Sequence, residues 1–167
     1  MMKVSICPIC QSHVITHPYM KDGFSFSECQ DCQVVFMNPQ PSFEQLANDI
    51  YTAKSGYHTK LESNLEGITR YKKRFVMVLD EFKRLKLSGK LLDVACANGE
   101  FMFLAKKQGF DVQGVELNRD SAKVARENGF TVVDGTVDSA QYEDGAFSVI
   151  HLGGVVEVVP DPVALLV

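Results

Sequence analysis

Two Cys-x-x-Cys pairs near the amino terminus constrain this chain more than any other feature of its sequence. Cys7 and Cys10 form the first pair, Cys29 and Cys32 form the second, and 18 residues lie between the pairs. This spacing is typical of a structural zinc site, because two residues between the cysteines allow a tight turn that directs both thiolates at one ion. Four thiolates leave no open coordination position, so we expect a structural Zn²⁺ and not a catalytic one.

Residues 1–40 are predicted to form a small zinc-ribbon module around this site. The segment is rich in Cys, Pro, Ser and aromatic residues and lacks helical periodicity, which indicates short hairpins. A module of this size cannot fold on its own core, so metal binding would supply its folding free energy. Two redox-active or incidental pairs are the alternative interpretation.

Composition limits what else the chain can hold. Its 167 residues, 46% of them hydrophobic, can bury one ordinary core and a small module. The net charge of -4 argues against nucleic acid as the main partner. No apolar run of about 18 residues and no signal peptide is present, so we expect a cytoplasmic protein without a membrane partner.

The remaining sequence divides at the glycine at position 89. Residues 41–88 are predicted to be a connector with a short helix over 43–49 and an amphipathic helix over 66–86. Residues 89–167 alternate strands and helices, which predicts an α/β, Rossmann-like fold with a partial parallel sheet of about four strands. The predicted strands are Lys90–Cys96, Asp111–Glu116, Thr131–Asp134 and Phe147–Leu152, and the helices are Gly99–Gln108 and Asn118–Asn128.

A candidate nucleoside pocket follows the first of these strands. Small residues at Ala95, Ala97 and Gly99 allow the backbone to approach a ligand, and the following helix offers free N–H groups. About twenty residues later the next strand ends in Glu116, whose carboxylate can accept hydrogen bonds from both hydroxyls of a ribose. The turn of small residues and the acid at the end of the strand are each a weak signal, but together they predict a nucleoside-binding pocket.

The segment LLDVACANGEFMFLAKKQGFDVQGVELN resembles motif I of class I S-adenosylmethionine-dependent methyltransferases and its continuation. FTVVDGTVDSAQYEDGAFSVIHLGGVVEVVPDP is similar to the adenine loop, the fourth strand and the turn that follows it in that family. With the four-cysteine module in front, the order resembles the type 11/12 group that carries an N-terminal zinc ribbon, which includes sugar C-methyltransferases. The resemblance implies S-adenosylmethionine as cofactor and a small molecule, such as a sugar, as methyl acceptor.

The resemblance also implies a role for individual residues. Asp93, Ala95, Ala97 and Gly99 would cradle the methionine end of the cofactor. Glu116 would bind the ribose hydroxyls, and Leu117 would lie beside the adenine. Thr136 and Val137 would offer backbone groups to the adenine edge, and His151 and Leu152 would line the floor near the sulfonium. Where the acceptor must lose a proton, His151 and His58 are the candidate bases.

The sequence departs from the family pattern in three respects. Ser148 and Val158 stand where an acid and a histidine are usual. Ala95 and Ala97 stand where glycines are usual, and a positive φ there would cost each residue about 1–2 kcal/mol. The chain also stops inside the helix after Asp161, so we expect the fifth strand to be absent and the fourth to expose an apolar edge that favours a homodimer. Two alternatives to an active methyltransferase therefore stay open: a catalytically dead S-adenosylmethionine-binding or regulatory module, and a zinc-ribbon nucleic-acid adaptor.

Overall fold

The computed structural model describes residues 2–45 and 72–166, which fall into two compact units. One unit contains residues 1–50 and 156–167, and the other contains residues 51–155. The prediction of domains with bounds at residues 40 and 88 is not tested by this division and stays a prediction. Within the described residues, no helix is both long and apolar enough to cross a membrane.

The first unit contains a three-stranded antiparallel sheet. Strands β1 (Ile15–Lys21), β2 (Phe24–Cys29) and β3 (Val35–Met37) pair in the order β1-β2-β3. A tight turn at Asp22 and Gly23, both with positive φ, joins the first two strands. The short hairpins expected from the sequence are therefore present. This unit also contains the short helices α1 (Phe43–Gln45) and α6 (Pro162–Leu166). The rest of the helix predicted over residues 43–49 lies outside the described residues.

The second unit is the expected α/β fold. Four parallel strands, β4 (Lys90–Val94), β5 (Asp111–Glu116), β6 (Thr131–Asp134) and β7 (Val149–His151), lie in the order β6-β5-β4-β7. Within residues 72–155, the helices of this unit are α2 (Lys72–Arg84), α3 (Glu100–Lys107), α4 (Arg119–Glu127) and α5 (Val137–Ala140). The predicted start of α2 at residue 66 lies outside the described residues.

The core of this unit lies where α2, α3 and α4 meet the sheet. Helix α3 packs against β5, α4 packs against β5 and β6, and α2 packs against α3. The buried cluster takes residues from every one of these elements: Leu79, Leu91, Phe101, Met102, Ala105, Val112, Ala122, Ala125, Val132 and Val149. The packing holds the carboxyl ends of the strands in fixed positions, and these ends carry the candidate site.

Two of the predicted strands are shorter in the structure than expected. Strand β4 ends at Val94, two residues earlier than predicted, because Ala95 adopts a left-handed conformation that the strand cannot continue through. The fourth strand, predicted from Phe147 to Leu152, is limited to Val149–His151. On this strand Val149 is buried and Ile150 is 57% exposed. The homodimer through this edge stays a prediction.

Candidate functional site

The four cysteines of the paired motifs come together in the first unit. All four sulfur atoms lie within 4.8 Å of one another. The Sγ atoms of Cys7 and Cys32 are 3.6 Å apart, and those of Cys10 and Cys29 are 3.5 Å apart. A tetrahedral site with zinc–sulfur bonds of about 2.3 Å has sulfur–sulfur edges of about 3.8 Å. The donor set and its spacing therefore fit a single zinc ion.

The two cysteine turns repeat the same backbone geometry. In the first, the N–H of Gln11 donates to the carbonyl of Cys7 (3.1 Å), and in the second, the N–H of Gln33 donates to the carbonyl of Cys29 (2.9 Å). Both glutamines have a positive φ, 61° and 60°. The backbone N–H of Cys32 and then that of Asp31 hold the pKa of the Cys29 thiol at about 6. The pKa values of the Cys10 and Cys32 thiols are instead raised, so Cys29 is the first of these three to ionise.

A left-handed turn connects β4 to α3 in the second unit. Ala95, Ala97 and Gly99 have φ values of 57°, 49° and 92°, so every second residue of the turn is left-handed. Both alanines therefore have the positive φ that is energetically unfavourable for a residue with a Cβ atom. Gly99 is the N-cap of α3 and makes no side-chain cap to the first turn of the helix.

Glu116 ties this turn to the neighbouring strand. Its Oε2 accepts a hydrogen bond from the N–H of Ala97 (2.8 Å), and its Oε1 accepts one from the N–H of Asn118 (2.7 Å). The residue is only 6% exposed, and burial raises the pKa of its carboxyl group. Each carboxylate oxygen has a second acceptor position. Glu116 can therefore hold the turn and still accept hydrogen bonds from a ligand.

Asp93 and His151 form the second polar contact between predicted site residues. They are register partners, Asp93 one residue before the end of β4 and His151 at the end of β7, and the Nδ1 of His151 lies 2.7 Å from the Oδ1 of Asp93. The Asp93 side chain is 4% exposed and that of His151 is 13% exposed. Burial raises the pKa of Asp93, while the hydrogen bond with His151 opposes this shift. Asp93 thus faces His151, a contact that the sequence did not predict.

The remaining predicted residues lie at the same end of the sheet or beyond the described chain. Leu117 and Leu152 are half-buried after the ends of β5 and β7. The N–H of Thr136 is already bonded to the Oγ of Ser139 in a capping box that begins α5. This short helix was not predicted, although Thr136 and Ser139 are its sequence signal. His58 lies outside the described residues, and these site assignments stay predictions.

Two residues that contact the site were missed by sequence reasoning. The ring of Phe101 stacks on that of His151, with centroids 3.7 Å apart and an interplanar angle of 19°. Gly153 lies so close to His151 that a Cβ atom there would be 2.8 Å from Nε2. The Gly153–Gly154 pair after the strand was a visible signal of close approach, whereas nothing local distinguishes Phe101 from other core aromatics.

Comparison with known proteins places the chain in a family. A family model described as a methyltransferase domain matches residues 66–167, which is more than half of the chain. No curated protein sequence matches the chain significantly.

Solved methyltransferase structures share the fold. One is phosphoethanolamine N-methyltransferase 2 of Haemonchus contortus in complex with S-adenosyl-L-methionine, with a TM-score of 0.51, 20% identity and coverage of 70% of this chain and 29% of that one. Another is the plantazolicin methyltransferase BpumL in complex with SAH, with a TM-score of 0.50, 18% identity and coverage of 74% and 50%. The match therefore spans at most half the length of either enzyme.

Proposed function

The chain belongs to a family of methyltransferase domains, and on this basis we propose that its α/β unit binds S-adenosylmethionine and transfers the methyl group to a small molecule. The cofactor would lie across the carboxyl ends of β4, β5 and β7. When bound, it supplies a methyl carbon attached to a positively charged sulfur. The chain's own residues would bind it, orient the acceptor and exclude water.

The main support for this proposal is the buried carboxylate of Glu116, which accepts hydrogen bonds from the left-handed turn and from Asn118. A buried carboxylate is costly, and the hydrogen bonds from Ala97 and Asn118 offset only part of that cost, since burial still raises its pKa. A strand-terminal acid next to a turn and a helix N-terminus is the arrangement that binds a ribose in nucleotide-binding α/β folds. The complexes of the Haemonchus enzyme and BpumL support a cofactor of this type.

We further propose that the four cysteines hold one structural Zn²⁺. The close sulfur atoms support a closed tetrahedral shell, and the two matching backbone turns would direct two thiolates each. The ion would supply folding free energy to the ribbon and take no part in methyl transfer.

Calorimetric titration tests the cofactor proposal. Zinc-loaded protein is titrated with S-adenosylmethionine and with S-adenosylhomocysteine, in the wild type and in Glu116→Gln. Loss of a charge-assisted hydrogen bond to the ribose should weaken binding on the order of 10- to 100-fold. The matched control is Glu127→Gln, which changes an exposed acid of α4 that faces Lys123 and should leave the affinity unchanged. Folded protein that binds neither ligand would contradict the proposal.

A binding module without transferase activity is the second candidate. It is favoured by the methyl groups of Ala95 and Ala97, which stand on a turn where family members usually have glycines. The test uses S-adenosylmethionine labelled with tritium in its methyl group and a broad panel of acceptors. Cofactor binding without transfer of the label to any acceptor would favour a binding module over an active methyltransferase.

A further inference from the structure

The Asp93–His151 contact lies at the point of the sheet where ligands are expected. From β4 the chain adds β5 and β6 on one side, and β7 then returns to the other side of β4. In open parallel sheets, ligands bind outside the carboxyl ends of the strands at such a switch point. Asp93 and His151 are register partners on the two strands that flank it.

Two contacts fix the orientation of the histidine ring. The hydrogen bond of 2.7 Å joins Nδ1 to a nearly inaccessible carboxylate, and the Phe101 ring stacks on one face of the imidazole. A carboxylate only accepts hydrogen bonds, so it favours the tautomer with the proton on Nδ1. The lone pair of the neutral ring is then on Nε2.

The Nε2 edge of the ring has no side chain opposite it at Gly153. A Cβ atom at this position would stand 2.5 Å from Cε1 and 2.8 Å from Nε2, so any larger residue would displace the ring. Within residues 2–45 and 72–166, the one hydrogen bond of the ring is that at Nδ1. The free nitrogen is thus the one that can receive a proton.

We propose that His151 is the general base of methyl transfer and that Asp93 is its positioning residue, an inference that rests on the proposed function. The methylated atom of the acceptor would carry an ionisable hydrogen. That hydrogen would leave as a proton and bond to Nε2, and its electron pair would stay on the acceptor atom for the new bond to the methyl carbon. The bond between that carbon and the sulfonium sulfur would break at the same time, and its electron pair would stay on the sulfur, which becomes the neutral thioether of S-adenosylhomocysteine. Asp93 stabilises the resulting imidazolium, which later releases the proton to water.

Nuclear magnetic resonance of the zinc-loaded protein with ¹⁵N-labelled histidine tests this inference without knowledge of the acceptor. The His151 signals are assigned by comparison with His151→Asn. In the neutral ring we expect the proton on Nδ1 and the lone pair on Nε2. The decisive readout is the pH midpoint of ring protonation with saturating S-adenosylmethionine compared with S-adenosylhomocysteine.

The two ligands differ in the positive charge of the sulfonium. A charge a few ångströms from Nε2 disfavours a second positive charge on the ring, so the midpoint should be lower with S-adenosylmethionine by on the order of one to two pH units. A histidine whose Nε2 does not face the transferring methyl group, and so cannot be the base, would lie farther from the sulfur and show little or no such difference. His13, exposed in the zinc ribbon, is the internal control and should titrate identically with both ligands.

The outcomes separate the inference from the proposed function. Equal midpoints for His151 with two bound ligands, or a neutral ring with the proton on Nε2, would overturn the role of His151 and leave cofactor binding intact. Failure of either ligand to bind in the same sample would overturn both. Because the comparison uses the wild-type chain, it does not depend on the folding of an Asp93 variant.

Discussion

Ala95 is the clearest case of local strain at the level of single residues. It is exposed, so its side chain gains little from packing, yet its φ is 57°. Glycine adopts this conformation without the contact between Cβ and the backbone that penalises other residues.

We expect Ala95→Gly to raise the free energy of unfolding by about 0.5–1 kcal/mol. Urea unfolding of zinc-loaded protein, followed by circular dichroism, measures the change. The control is Ala140→Gly at the last residue of α5, which has no positive φ, so glycine should not raise the free energy of unfolding there. Equal effects of the two substitutions would contradict the assignment of strain to Ala95.

The buried carboxyl group of Glu116 should make the free energy of unfolding depend on pH. Burial raises its carboxyl pKa in the folded state, so its contribution to stability is largest below the ordinary glutamate pKa and is lost as the pH rises through the raised value. Glu116→Gln removes this titration.

The stability difference between Glu116→Gln and the wild type should therefore shift in favour of the variant as the pH increases from about 4.5, with a slope of at most about 1.4 kcal/mol per pH unit. Urea unfolding at several pH values measures the slope. The slope is the readout, because any hydrogen bond that glutamine fails to make adds an offset that does not vary with pH. Parallel curves for the two proteins would contradict the burial of an ionisable group at this position.

At the level of elements, local patterns were sufficient for most of the α/β unit. The strands Asp111–Glu116 and Thr131–Asp134 have the predicted bounds, and Asn118 caps α4 through its side chain as expected. These features depend on neighbours in sequence: alternating burial, a cap residue and glycine at the helix ends. The early end of β4 could not be read the same way, because alanine rarely adopts the left-handed conformation that stops the strand.

The polar contacts of the site depend on long-range pairing and were therefore harder to predict. Asp93 and His151 are 58 residues apart, and their contact exists only because β4 and β7 are adjacent in a particular register. The sequence identified both residues, and Glu116 and Ala97 as well, but it did not indicate which would contact which. The stacking of Phe101 on His151 likewise follows from the packing of α3 on the sheet and not from any local signal.

Close packing around Gly114 of β5 leads to a prediction about how this strand packs against α3 and the turn before it. A Cβ atom on Gly114 would lie 2.5 Å from the Sγ of Cys96 and 3.0 Å from the Cε of Met102. Gly114→Ala should therefore destabilise the fold by about 1–3 kcal/mol through overpacking. In a double-mutant cycle with Cys96→Ala, part of this cost should be recovered, because the closest atom is removed. Strict additivity of the two substitutions, measured by urea unfolding, would contradict the contact.

At the level of the whole molecule, we propose that one chain combines a zinc-dependent ribbon with a methyltransferase unit. We expect one zinc per chain by elemental analysis, and none after Cys29→Ser, because three thiolates and one hydroxyl make a much weaker site. Cys96→Ser is the matched control, since Cys96 is the one cysteine outside the cluster and its loss should leave the zinc content at one. Equal loss of zinc from both variants, or no zinc in the wild type, would argue against the proposed site.

The proposed function depends on S-adenosylmethionine binding across the carboxyl ends of β4, β5 and β7. The most direct test is a crystal structure of zinc-loaded protein with S-adenosylhomocysteine at saturating concentration. We predict that the ligand lies over the turn at residues 95–99. Its ribose hydroxyls should be within hydrogen-bonding distance of Glu116, and its sulfur should be on the side of His151. A ligand bound elsewhere, or a fully ordered turn with no ligand, would contradict the claim.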